Sequence, residues 1–310
     1  PRRARRARTA PLTNVLAWMV MDGQTETVTQ GMPHLFRAAT ELMLADRPLR
    51  ADGAGTGALL VVAHPDDECM FFTPTLLGLA RQGITAHVLC LSTGNFDGLG
   101  ATRSRELRAS CIELGVDASR VHCLDDPQLQ DGPTEVWPPA RIAALVHAHC
   151  HAHGLSRLIT FDCGGVSGHR NHVAVYSGVR LLVDGGSSLA GWRLSAPLVA
   201  YSLQSTSTLR KHLGLWEVLA SLLYSLLYTL ACSLLWRPPP LSGPRLCCFV
   251  TSRAARAHVA MRAHRSQYLW YRKLYVLTSR YVWVNTLRPI GNGARRPGWG
   301  RSGFSDASLE

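Results

Sequence analysis

The sequence predicts an α/β protein with a Rossmann-like, mostly parallel sheet and helices on both faces. Three observations predict it. Short runs such as 58–63 are apolar on both faces, as inner strands of a parallel sheet require. Segments with helical spacing lie between such runs and stop near glycine, as at Gly83 and Gly115. The two kinds alternate from about residue 58 to residue 183, the pattern of successive strand–helix units. In sheets of this kind ligands meet the carboxyl ends of the strands.

In chain order, residues 1–55 are expected to be poorly ordered. They mix arginine, Thr, Gln and Gly, end in DGAGTGA, and leave room only for a short helix near 34–45; the apolar stretch 15–21 is too short to span a bilayer. A strand at 58–63 then runs into the polar turn HPDDE, and 73–82 has helical spacing. ITAHVLCLS is a second strand, TRSRELRASCIELG a helix, RVHCL a third strand, and PPARIAALVHAHCHAH a helix. SRLITFD is a fourth strand and NHVAVYSGVRLLV the helix after it. Beyond Leu194 the alternation loosens. Residues 218–236 carry no charge, and their number lies just inside the roughly 17–25 needed to cross a membrane. Residues 253–287 read as a basic, aromatic-rich helical region, and 288–310 as a disordered Gly/Arg/Ser-rich tail. One domain, 56–287, is expected between the disordered ends.

A chain of 310 residues, 46% hydrophobic, buries one substantial core. Of its net charge of +12, more than half sits at the ends, in five arginines within 2–8 and four after residue 287. The basic remainder suits an anionic lipid surface or a phosphorylated substrate. Nucleic acid is not expected, because neither zinc-finger spacing nor an aromatic-basic RNA motif occurs. Nine cysteines without a CxxC pair read as reduced, small hydrophobic residues of a cytosol-facing protein.

The polar clusters fall where the strands end. In His64-Pro65-Asp66-Asp67-Glu68, four ionisable side chains follow an apolar strand directly, and burying them is costly unless they bind something. An imidazole with carboxylates suits a borderline divalent metal, zinc most naturally, and a further carboxylate can act as general base; a solvated strand-end turn is the plain alternative. After the fourth strand, Gly164 and Gly165 precede His169 and His172, which share a helix face at i,i+3. Such a pair by itself is more often a cap or a surface pair. At the same sheet edge as HPDDE it offers a third ligand and a free imidazole. After the second strand come Gly94-Asn95, then Arg103 and Glu106. There Arg103 either holds a phosphate or sugar hydroxyl or simply pairs with Glu106.

These blocks resemble the PIG-L/LmbE-like de-N-acetylase family, and within it the eukaryotic branch that acts on N-acetylglucosaminyl-phosphatidylinositol. LLVVAHPDDECMFFTPTLLGLAR, LCLSTGNFDGLGATRSREL, ITFDCGGVSGHRNHVAVYSGVR, LQSTSTLRK and HRSQYLWYRKLYVLTSRYVWVNTL carry the resemblance, in the family's order. It implies zinc, or another divalent metal, on His64, Asp67 and His172. It implies Asp66 as general base and His169 as stabiliser of the oxyanion or proton donor to the leaving amine. Arg103, Glu106 and Asn95 would lie on the substrate side. Glu68 and Asn171 would orient the ligands from behind; bacterial relatives often carry aspartate where this chain has Asn171. The implied reaction removes acetate from a phosphoinositide glycolipid in GPI-anchor biosynthesis, on the cytosolic face of the endoplasmic reticulum membrane. The resemblance also implies an N-terminal membrane helix, where this sequence has arginine-rich residues; 218–236 reads as a relocated membrane element, and Trp270, Tyr271 and their basic neighbours suit either a membrane interface or a core helix with a basic face. Two alternatives differ in class. A soluble deacetylase of another GlcNAc conjugate would use the same chemistry. A retired, basic membrane- or nucleic-acid-binding protein would have lost a ligand or the base, and none is lost. Last, His147, His149, His151 and His153 form two i,i+4 pairs that read as a solvated helix end or a second metal site.

Overall fold

The computed structural model describes residues 57–185, 197–214, 216, 219, 223, 227 and 247–291. The expectations for 1–55, for most of 218–236 and for residues after 291 lie outside them. The chain runs β1 (Gly57–Val62), α1 (Asp67–Phe71), α2 (Thr73–Arg81), β2 (Thr85–Cys90), α3 (Gly100–Glu113), β3 (Val121–Cys123) and α4 (Pro139–His153). After β4 (Arg157–Phe161) comes a single helical turn, Gly165–Gly168, then α5 (Arg170–Gly185), β5 (Val199–Leu203) and α6 (Thr208–His212). Finally come β6 (Cys247–Val250), α7 (Ala255–Ala263), α8 (Trp270–Thr278) and β7 (Val284–Ile290).

One seven-stranded sheet has the order β3-β2-β1-β4-β5-β7-β6. β1 to β4 are parallel, as the alternation predicts, β5 joins them as a fifth parallel strand, and β7 pairs antiparallel with both β5 and β6. In β1, Ala58, Leu59, Leu60, Val61 and Val62 are fully buried, which is why their run carries no polar face. Strand order reverses direction at β1 and β4, so their carboxyl ends flank the crevice in which such sheets bind ligands.

The expected helical region 253–287 needs correction. It holds α7 and α8, but Val284–Ile290 is strand β7, so Arg288, Pro289 and Ile290, expected in the disordered tail, belong to the sheet. Val284, Asn285, Thr286 and Leu287 are all buried between two strands that become neighbours only when the sheet forms. Long-range pairing overrides the local pattern there. The strand β5 was not visible as such in the looser pattern after Leu194, whereas Cys247 and Cys248 do open the apolar strand β6. Most described cysteines are buried, though Cys163 is exposed. Among the described residues no helix is long and apolar enough to cross a membrane. Of the stretch 218–236, the described Leu219, Leu223 and Leu227 are helical and exposed, on one face with Trp216.

Candidate active site

β1 ends at the sheet's edge, and the next residues turn sharply. Asp66 takes φ 118°, and in the second loop Val166 takes φ 66°. Among the described residues these are the non-glycine positions with positive φ, and both lie in the loops that build the site. Backbone strain of this kind persists only where surrounding contacts fix it. Asp67 holds the first loop, since its Oδ2 accepts from the backbone N–H groups of Ala63 (3.0 Å) and His64 (2.8 Å). Glu68 is fully buried. Its Oε2 accepts from the Asp66 N–H at 3.0 Å, and its Oε1 is held by Ser110 and by His264 Nε2 at 2.7 Å. Glu68 therefore stands behind Asp66 and fixes its backbone.

The loop after β4 is shaped by Asp162, whose carboxylate accepts from Ser205 and from the Gly164 N–H. Gly164 has to be glycine, because a Cβ there would stand 2.7 Å from Ser205 Oγ. This turn aims His172 back at β1. His172 Nδ1–H donates to the Gly165 carbonyl at 3.1 Å, its ring stacks on Phe161 with centroids 3.9 Å apart, and its Nε2 lies 3.1 Å from Asp67 Oδ1. With Nδ1 carrying the proton, an imidazole lone pair and a carboxylate oxygen face each other. Two acceptors this close require a shared proton or a shared cation. The donor set therefore fits a borderline divalent metal.

His64 completes the group. Its Nδ1 lies 3.8 Å from Asp67 Oδ2, and its Nε2 accepts from the Asn171 amide at 2.9 Å and lies 3.4 Å from Asp131 Oδ1. One nitrogen each of His64, His169 and His172 lie within 4.8 Å of one another. Two ligand sets are thus within reach, His64-Asp67-His172 or one that recruits His169. His169 is exposed and stacked on His172 at 4.6 Å.

The charges are unequal. Burial, then repulsion from Asp67, raises Asp66 above the usual carboxylate range, although Arg272 and Arg103 oppose this. Asp66 Oδ2 is buried and accepts no hydrogen bond, with the guanidinium groups of Arg272 and Arg103 at 3.2 and 3.6 Å. Such a carboxylate keeps its basicity. Burial would raise Asp67 too, but His172 and His64 hold it far below its ordinary value. His64 would be lowered by burial, yet Asp131 and Asp67 raise it. Burial and the neighbouring rings of His172 and His64 lower His169 to about 4, so it is neutral near pH 7.

The other residues singled out in the sequence are placed differently. Arg103 is buried and spends two N–H groups on the Gly94 and Pro65 carbonyls, both at 2.9 Å, so it clamps the first loop as well as facing Asp66. Glu106 uses both oxygens on Ser266, tying α3 to the segment before α8. Asn95 is exposed and accepts from the Gly100 N–H at the start of α3. Sequence reasoning missed Asp131, Arg272, Trp137 and His264. Asp131 and Trp137, the latter with its ring 5.8 Å from that of His64, lie in the turn-rich segment after β3, at the same carboxyl edge. That position was the available signal for both. Arg272 and His264 come from the far end of the chain and had no such signal.

The chain matches the family profile described as "PIG-L: GlcNAc-PI de-N-acetylase" over residues 59–183. It is 42% identical to the N-acetylglucosaminyl-phosphatidylinositol de-N-acetylase of Bos taurus, over 76% of this chain and 84% of that one. It is 34% identical to a protein of Schizosaccharomyces pombe named "Probable N-acetylglucosaminyl-phosphatidylinositol de-N-acetylase", over 74% and 85%. Among solved structures it superposes on N,N'-diacetylchitobiose deacetylase from Pyrococcus horikoshii with a TM-score of 0.53. That match covers 87% of this chain and 93% of the other at 14% identity, a likeness of fold.

Proposed function

This chain belongs to the PIG-L family of GlcNAc-PI de-N-acetylases, and from that premise we propose that it hydrolyses the acetamide of N-acetylglucosaminyl-phosphatidylinositol with the help of a divalent metal, zinc by preference. The observation that carries the reading is the buried, hydrogen-bond-free Oδ2 of Asp66 next to an Asp67–His172 pair whose facing atoms can share a cation.

His64, Asp67 and His172 would hold the ion. When bound, zinc polarises the amide carbonyl and lowers the pKa of a coordinated water toward about 7. Asp66 receives the proton of the attacking water, and its raised pKa makes it the better base. His169, neutral and exposed at the mouth, would donate a hydrogen bond from its N–H to the developing oxyanion, and the proton that Asp66 takes from the water would pass on to the leaving amine. Arg272 and Arg103 keep Asp66 ionised and aimed, and Glu68 fixes the backbone beneath it.

The glycolipid reading includes a membrane surface, at the cytosolic face of the endoplasmic reticulum. One side of α8 reaches the site through Arg272, while Trp270, Leu274 and Leu277 on it are exposed. Leu219, Leu223 and Leu227 are exposed as well, and exposed apolar side chains of this kind suit an interfacial face. The test is turnover of labelled N-acetylglucosaminyl-phosphatidylinositol by the full chain, with chelation, zinc re-addition and an Asp66→Asn variant. Loss on chelation, recovery with zinc and a drop of about 10²–10⁴-fold in the variant are expected. Turnover that survives chelation would refute the metal role, and zinc-loaded protein inert on the lipid but active on a soluble GlcNAc conjugate would refute the substrate.

A further inference from the structure

A second group of imidazoles lies away from the catalytic edge. One ligand atom each of His122, His149 and His153 fall within 4.8 Å of one another. Their ring centroids are 4.7 Å apart for His122 and His149, 4.4 Å for His149 and His153, and 5.2 Å for His122 and His153. His87 closes the group, 5.4 Å from His153 and 6.5 Å from His149.

Three elements bring them together. His149 and His153 share a face of α4 at i,i+4. In the parallel β2–β3 pair, Leu89 lies opposite His122, and His87 is two residues before Leu89, so His87 and His122 point to the same side of the sheet. α4 ends at His153 and the chain then enters the amino end of β4 at Arg157, so the cluster lies toward the opposite end of the strands from His64.

The chemistry of the group points to a ligand. His87 Nδ1, His122 Nε2 and His149 Nε2 are buried and make no hydrogen bond. Three orphaned nitrogens in one place are costly, and packing alone gives no reason to gather them. Burial and the neighbouring imidazoles and arginines lower His87, His122 and His149, which are therefore neutral. Neutral imidazoles suit zinc and the ions near it better than Mg²⁺ or Ca²⁺, which take oxygen ligands. His153 is exposed and leaves the site open to solvent.

We infer that His122, His149 and His153 form a second, non-catalytic site for a borderline divalent transition metal, with His87 or solvent as the fourth ligand. The ion ties the last turn of α4 to the edge strand β3. His147 and His151, with rings 6.3 Å apart, sit on the same helix outside the cluster and serve as the internal control.

The experiment counts zinc per full-length chain after equilibration and dialysis, for wild type, H122A/H149A, H153A and H147A/H151A. Wild type and H147A/H151A are expected to retain one more zinc than H122A/H149A, with deacetylation unchanged in all. H153A, at an exposed position that leaves the fold intact, is expected to weaken the added equivalent on the order of 10–100-fold or more. Equal zinc in wild type, H122A/H149A and H153A would overturn the site, as would its loss from H147A/H151A. The difference between variants is one ion whether or not the catalytic site is filled, so this inference and the catalytic reading fail separately.

Discussion

Asp66 combines a strained backbone with a buried carboxylate oxygen that accepts no hydrogen bond. At φ 118° any residue with a Cβ is penalised, by about 1–3 kcal/mol. Asp66→Gly should therefore unfold at higher denaturant than Asp66→Ala, by about 1–2 kcal/mol, while both lose deacetylation. Urea titrations of the two variants check this, and equal midpoints would remove strain from the account. Behind Asp66, Glu68 and His264 form a fully buried pair. Burial would raise Glu68 and lower His264, but each outweighs that penalty for the other, leaving Glu68 below 4.5 and His264 above 6.5. Glu68 contributes stability above pH 4.5 that is lost as pH falls through its depressed folded pKa. His264 contributes stability below pH 6.5 that is lost as pH rises through its raised one. His264→Gln should therefore cost most between about pH 4.5 and 6.5, about 3–5 kcal/mol, and less on either side. Stability measured against pH for both proteins decides it. At this scale the sequence displayed His64, Asp66, Asp67 and His172 because they crowd into two short polar loops after apolar strands. Asp131 and Arg272 remained hidden, since a lone charge in a loop or a helix looks like any solvated charge.

The elements meet through small residues as much as through large ones. Gly78 in α2 lets Phe249 of β6 lie against the helix; a Cβ there would fall 2.1 Å from the ring. Gly78→Ala should destabilise by about 1–3 kcal/mol, and Phe249→Leu in the same chain should recover part of the loss. A thermodynamic cycle tests this, and simple additivity of the two changes would show that the contact is not the cause. The HAHCHAH run shows how an element divides a motif. Residue spacing alone makes two equivalent i,i+4 pairs, yet only His149 and His153 face His122 and His87. The strands and helices up to Gly185 were legible from period and punctuation, because each is a local pattern. β7 was not, because Val284–Ile290 is a strand only by virtue of β5 and β6 on its two sides.

At the scale of the whole molecule, α8 connects the loop after β1 to an exposed apolar face. Its Arg272 contacts Asp66, its Tyr275 ring lies 5.7 Å from that of Phe71, and Trp270 is 75% exposed. Trp216, also 75% exposed, belongs to the same outer face as Leu219 and Leu223. Replacing Trp270 and Trp216 by Ser should reduce binding to phosphatidylinositol-containing vesicles by about tenfold or more for each ring that is fully buried in lipid. Co-sedimentation measures it, and unchanged binding with intact turnover would move the membrane contact elsewhere. The sequence by itself determined the α/β class, the first four parallel strands and the two polar loops at the strand ends. Apolar runs, helical periods and polar clusters at strand ends are local signals that no distant contact has to complete. Only the tertiary structure decided that β7 is a strand, that Arg103 clamps a loop, and that Arg272 and His264 stand behind Asp66. It also decided that one of the two histidine pairs meets two more histidines from the sheet. Each of these depends on residues far apart in sequence, and folding alone brings them within reach of one another.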